Sequence, residues 1–166
     1  MASPKICILK PARAASKGFT VLEMLVVMGL LAIVSALGLF MSMDSYRGGS
    51  FRNERDTIVT ALQTARSQAM NNICLGSGCT DGKAHGVHFE IGKYIIFQGN
   101  AYSSSDPLNQ TIASNDPNVV VTGPADVIFS QLSGQVAAAG TIAVSDQAGH
   151  SSTISINGEG QIVWTN

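Results

Sequence analysis

Charge is scarce in this chain, and so is nearly every motif that carries chemistry. Asp, Glu, Lys and Arg make up 13% of the 166 residues, against 45% hydrophobic, and the net charge is −1. A strongly basic nucleic-acid footprint over the whole chain is therefore excluded. No Lys or Arg follows Lys93, so the C-terminal part has no cation to set against phosphates. No Cys/His arrangement has zinc spacing, no Gly-x-Ser-x-Gly elbow surrounds a serine, and no EF-hand loop occurs. His85, His88 and His150 lack companions at ligand spacing and read as strand or surface histidines. Asp106, Asn109, Asn115, Asp116 and Asn118 carry oxygens suited to Ca²⁺, without the regular spacing of a calcium loop. The chain is thus expected to be no enzyme and to need no cofactor or metal, with Ca²⁺ the one metal reading left open. Its length suits one compact domain and little more.

Proline is also sparse. None lies between Pro11 and Pro107, which leaves a long stretch free to form unbroken helix. Within it, Met24 to Met43 are twenty consecutive residues without charge, rich in Leu, Val, Ile, Met and Ala. A helix of that length covers about 30 Å, the thickness of one bilayer core. An ordinary secretory signal is the competing reading, but its apolar region runs about 7–15 residues and ends in a small-residue cleavage site. Ser42-Met43-Asp44-Ser45-Tyr46 is a poor site of that kind. Lys5, Lys10, Arg13 and Lys17 precede the span, while Arg47, Arg52 and Arg55 follow it closely. Counting Lys and Arg alone therefore leaves a thin margin for an internal N-terminus.

At the start of the span, Lys17-Gly18-Phe19-Thr20-Val21-Leu22-Glu23-Met24-Leu25 resembles the prepilin peptidase site of type IV pilins and type II secretion pseudopilins. The resemblance implies cleavage after Gly18, with Phe19 as the new and methylated N-terminus and Glu23 as the fifth mature residue. Glycine suits the last leader position because its bare backbone can lie extended in a narrow protease cleft. Glu23 is the only ionisable residue between Lys17 and Asp44, and an acid on a membrane helix calls for a cation. In the family that cation is the α-amine of a neighbouring subunit, which would make Glu23 an assembly contact. Spacing alone offers a second role. Thr20 to Glu23 is also a capping-box pattern, and the helix dipole favours an acid in the first turn. The two roles are compatible. Many type IV pilins carry a proline midway along this helix; here Gly29, Gly38 and Gly48-Gly49 are the only weak points. Without residues 1–18 the chain keeps six basic and eleven acidic residues, a formal −5, unsuited to binding polyanions. Some FimT-like minor pilins take up DNA through a basic C-terminal motif, but the end of this chain, Gly158 to Asn166, has no Lys or Arg.

From Phe51 to Asn72 the pattern is that of an amphipathic helix. Ile58, Leu62, Ala65 and Ala69 fall at i, i+4, i+7 and i+11, an apolar stripe on one face. Arg52, Glu54, Arg55, Asp56, Gln63, Arg66 and Gln68 occupy much of the remainder, and Asn71-Asn72 is the expected stop. The stretch Ala61 to Ala69 is similar to the helix of GspH/FimT-type minor pseudopilins and minor pilins, with looser similarity in Gly86–Phe97 and the C-terminal strands. Loss of Cys7 with the leader would leave Cys74 and Cys79 as an even pair. An oxidising compartment favours a disulfide between them over two free thiols, and Gly76 and Gly78 permit the tight turn.

Beyond the cysteines the period becomes alternating. Gly86–Ile91 and Tyr94–Phe97 predict a hairpin about Gly92-Lys93. Val119–Thr122, Val127–Gln131, Gly140–Ser145, Thr153–Ile156 and Gln161–Trp164 predict further short strands. Residues 99–118 are polar and turn-rich and read as a mobile loop without secondary structure. The expected fold class is α+β: a long N-terminal membrane and assembly helix, continuing into an amphipathic helix packed on one antiparallel sheet or two small ones.

These readings divide the chain into a cleaved leader (1–18), a transmembrane assembly helix (19–47) and an extracytoplasmic head (48–166) with helix 51–72 and β-rich region 86–165. The resemblance implies a minor pilin or pseudopilin, a structural subunit of a type IV pilus or a type II secretion pseudopilus. Its implied partners are prepilin peptidase, other pilin or pseudopilin subunits and an inner-membrane assembly platform, with a single span in the inner membrane and no nucleic acid. Two other readings stay open: a major pilin, and a signal-anchored binding protein that never polymerises and keeps an uncut N-terminus.

Overall fold

A computed structural model of the chain describes residues 18–77 and 79–165. The leader readings before Gly18, and that for Gly78, lie outside these residues. The chain divides into two compact units after Ser42. Helix α1 runs from Val21 to Met70, 50 residues in all, so the helical segments expected on either side of Gly48-Gly49 are one element. Each glycine costs about 1 kcal/mol in a helix interior, too little to break a helix whose flanking turns are well formed and free of proline. In the first unit, Val21–Gly38 has a mean hydropathy of 2.4 and no buried residue. It is long and apolar enough to cross a membrane.

In the second unit, α1 is followed by strands β1 (His85–Glu90), β2 (Lys93–Gln98), β3 (Gln110–Ala113), β4 (Val120–Thr122), β5 (Asp126–Phe129), β6 (Gly140–Ser145), β7 (Ser151–Ile156) and β8 (Ile162–Thr165). They form two four-stranded antiparallel sheets, ordered β3-β2-β1-β5 and β4-β6-β7-β8. The expected α+β class is what the fold shows, with two sheets rather than one. The predicted stripe of Ile58, Leu62, Ala65 and Ala69 is completely buried. It packs in one core with Val87, Val127 and Phe129 of the first sheet and Ile142, Val144, Ile154 and Ile156 of the second.

The sheets follow their sequence patterns. In β7 every second residue is buried and the intervening ones are exposed, and Ile154 pairs with Ile142 of β6 on the core side. β1 lies between β2 and β5, and Gly86, its second residue, has a reason to be glycine. A β-carbon there would lie 2.6 Å from the Phe97 ring and 2.8 Å from the Val127 carbonyl oxygen, a close backbone approach that no other residue permits. The helix ends as predicted. Asn72 takes φ +56°, its N–H bonds the Ala69 carbonyl at 3.2 Å and that of Ile73 bonds the Gln68 carbonyl at 3.0 Å, the Schellman pattern.

Two expectations are corrected. The hairpin register pairs Glu90 with Lys93, so the turn is Ile91-Gly92, one residue earlier than expected, with Gly92 at φ +79°. Residues 99–118 are not without structure: Gln110–Ala113 forms β3 and pairs with β2. β3 is an edge strand of which only Ile112 is partly buried, so it has almost no apolar alternation to betray it.

Leu62 is completely buried in this core. Leu62→Ala should therefore lower unfolding free energy by about 2–5 kcal/mol, measured by chemical denaturation of the detergent-solubilised chain. Val163→Ala, at an exposed strand position, should stay within about 0.5 kcal/mol of the parent.

Candidate assembly site

The start of α1 is built by its own capping residue. Thr20 stands just outside the helix; its Oγ1 accepts the Glu23 N–H at 3.2 Å and its carbonyl accepts that of Met24 at 3.1 Å. This is the N-cap geometry, with Glu23 at the third helical position. The capping half of the sequence reading is thus present from the Thr20 side. The Glu23 carboxylate, in contrast, is engaged by no hydrogen bond or ion pair among the described residues. Phe19, Val21 and Leu22 beside it are exposed to 75% or more. The end of the helix therefore presents an uncommitted carboxylate amid apolar side chains, with Gly18 and Phe19 immediately before the cap.

The head places other candidate groups in separate clusters. His88 on β1 directs Nδ1 to Asp126 Oδ1 at 2.6 Å, and its Nε2 lies 3.5 Å from Glu90 Oε1. The two carboxylates face opposite ring nitrogens, so they do not converge on one point where a metal would sit. Tyr102 stacks on the His88 ring at 3.9 Å between centroids and donates its hydroxyl to Glu90 at 3.3 Å. Lys93 closes the cluster at 2.8 Å from Glu90. Its hydrogen bond holds the Glu90 carboxyl below its ordinary value, and Glu90 raises Lys93 in return. His150 pairs with Asp146 at 2.7 Å and stacks on Phe51. Burial raises the Asp146 carboxyl, but the bonds from His150 and the Ala148 amide outweigh it and the net shift is downward. His85 is buried and lies 2.9 Å, through Nε2, from the Ile73 carbonyl oxygen.

Of the groups considered for Ca²⁺, the two aspartates accept hydrogen bonds, while Asn109 Oδ1 is buried without a partner. Asp106 accepts the Leu108 amide, and Asn109 donates to the Ser103 carbonyl. Asp116 accepts from the Asn118 amide and then from Ser50, which together hold its carboxyl below the ordinary value. Among the described residues no group of three or more His, Cys, Asp or Glu is placed to hold a metal ion. Cys74 and Cys79 form a disulfide with Cα atoms 5.8 Å apart, and Gly76 at φ +96° supplies the turn. Closing so short a loop stabilises the fold by about 2 kcal/mol in the chain-entropy account.

Glu54 is the group that the sequence pattern hides. It sits on the polar list of an amphipathic helix, yet it has no exposure at all. It accepts the Tyr94 hydroxyl at one carboxylate oxygen and the Asn115 N–H, at 2.8 Å, at the other. A signal was available: Glu54 lies four residues before Ile58, in line with the buried stripe. Burial, and then the neighbouring Glu54, push the Tyr94 hydroxyl far above its ordinary value.

Residues 13–39 match the prokaryotic N-terminal methylation motif. The exposed apolar helix and its uncommitted acid thus fall within a segment typical of pilin-like proteins. Residues 54–160, well over half of the chain and most of the head, match the type II transport protein GspH, and the chain belongs to that family. No curated protein and no solved structure gives a match.

The lowered carboxyls fix an acid limit for the head. Glu90, Asp116 and Asp146 bind protons less readily folded than unfolded, so their contribution is fully present above ordinary carboxyl values and lost as pH falls through the lowered ones. The melting temperature should be flat from neutral pH to about 5 and fall below about pH 4, as read by circular dichroism. A decline that begins near pH 6–7 would contradict this assignment.

Proposed function

We propose that the chain is a minor pilin or pseudopilin, cut by prepilin peptidase between Gly18 and Phe19 and assembled through its N-terminal helix into a type IV pilus or type II secretion pseudopilus. The observation that carries this reading is the methylation-motif match over 13–39, which spans a helix start whose one acid has no partner among the described residues. Its role is structural, in keeping with its family.

The chemistry runs as follows. Before cleavage the chain is held by its apolar span, with the head outside the cytoplasm and the leader inside. Cleavage after Gly18 creates an α-amine on Phe19, which is then methylated and remains a cation. An isolated carboxylate in an apolar medium is costly, and pairing it with a cation offsets much of that cost. Glu23 meets the Phe19 amine of a neighbouring subunit, because no described residue of its own chain bonds its carboxylate. Only one axial offset between packed helices brings the two together, so the pair sets register, while apolar contacts along Val21–Gly38 supply adhesion. The peptidase, an inner-membrane platform and other subunits are the partners this cycle requires.

Mass spectrometry of the N-terminal peptide from membrane-extracted protein tests the processing step. A methylated peptide beginning at Phe19 only when the host's peptidase is present is the expected result; a peptide retaining Met1 or its near neighbours in both cases would overturn it. Glu23→Ala should leave insertion and cleavage intact and reduce recovery in sheared filaments or in pseudopilus complexes by about tenfold or more. Undiminished incorporation of that variant would reject the register role.

A further inference from the structure

Residues 114–118 are held to the head by polar contacts alone. They leave β3 of one sheet and lead to β4 of the other, and between Ile112 and Val119 no side chain enters the apolar core. Three side chains of α1, Ser50, Glu54 and Thr57, line up beneath them at i, i+4 and i+7. Ser50 donates to Asp116 Oδ2 at 2.8 Å, Glu54 accepts the Asn115 N–H at 2.8 Å, and Thr57 Oγ1 lies 3.5 Å from the Asn115 side-chain amide. Within the segment, Asp116 gathers the Asn118 amide, and the Ser114 N–H reaches the Gly92 carbonyl.

The middle contact is different in kind from the outer two. Both groups that meet Glu54, the Tyr94 hydroxyl and the Asn115 N–H, are donors. The carboxyl accepts both bonds at a position with no exposure. Alanine would leave the Asn115 N–H and the Tyr94 hydroxyl buried without that partner. Glu54 also links three elements, namely α1, β2 and the crossover between sheets.

The same segment forms one wall of a cleft of about 340 Å³, in which Ser114, Asp116 and Pro117 face Phe89, Ile91 and Val120. Ile91, at the tip of the β1–β2 hairpin, is fully exposed. We infer that residues 114–118 are a strap keyed to α1 by the Glu54 carboxyl, and that it opens as a unit, with the cleft wall, when the key is lost. This inference does not depend on the assembly reading.

Hydrogen exchange of the full-length chain in detergent, followed by peptide mass spectrometry, tests it. Glu54→Ala should accelerate exchange across residues 113–119 by about tenfold or more, the consequence of losing one buried hydrogen bond to the segment. Peptides covering β6 and β7 should keep the parent rate. Asn115→Ala, which keeps the backbone donor, should stay within about twofold of the parent, since the 3.5 Å side-chain contact is weak. Parent-like exchange in Glu54→Ala, acceleration spread evenly over the head, or an equally large effect from Asn115→Ala would each overturn the proposal. If Glu54→Ala fails to fold, Ser50→Ala decides: it removes the outermost fastening, and faster exchange confined to 113–119 is expected, whereas an unchanged strap refutes the device.

Discussion

Everything in the first unit depends on apolar side chains that its own residues do not cover. Along Val21–Gly38 none of the side chains is buried, and each exposed Leu, Ile, Val or Met forgoes about 1.5–3 kcal/mol of favourable transfer out of water. The helix satisfies its backbone internally, which suits it to hydrocarbon, but its surface needs either lipid or other helices. Lipid and helix packing are close in apolar character, so exchange between them has a small net driving force from hydrophobicity. A charged pair of the kind proposed for Glu23 would distinguish the two environments. That is why one carboxylate on an otherwise uncharged surface carries so much of the proposed function.

The head solves a different problem with the same helix. Below Ser50 the solvent-averse stripe narrows to one face, and two sheets meet it in a single core. The stripe was readable because Ile58, Leu62, Ala65 and Ala69 keep helical spacing, and β6 and β7 because their branched apolar residues, Ile142 and Val144, Ile154 and Ile156, sit two apart. The signals failed where burial and polarity part company. β3 is an edge strand with one side chain near the core, so its partner β2, not its own sequence, makes it a strand. Glu54 was hidden because a buried acid follows no hydropathy rule; its place is set by two donors from distant segments, and spacing along the helix says nothing of them.

The start of α1 was more legible than the head's polar network because its residues act through local order. A glycine, an aromatic, a capping threonine and an acid lie within six positions, all inside the methylation-motif match. The N-cap bond from Thr20 to Glu23 is such a local fact. No described residue claims the Glu23 carboxylate, so a partner for it would not be written in the neighbouring sequence.

The sheet order has a consequence for how the head comes to exist. The chain lays β1, β2 and β3 into one sheet, places β4 in the other, returns to the first for β5 and then completes the second with β6 to β8. Neither sheet can be finished from a contiguous stretch, and β1 must wait for β5, roughly forty residues later in the chain. Such long-range pairing slows folding relative to local hairpins. It also removes any natural point of division: a nascent or truncated chain ending before β5 would carry an open edge on β1 and a lone β4. The head is therefore a unit that forms only once its chain is nearly complete, and β1 is an adhesive strand until then.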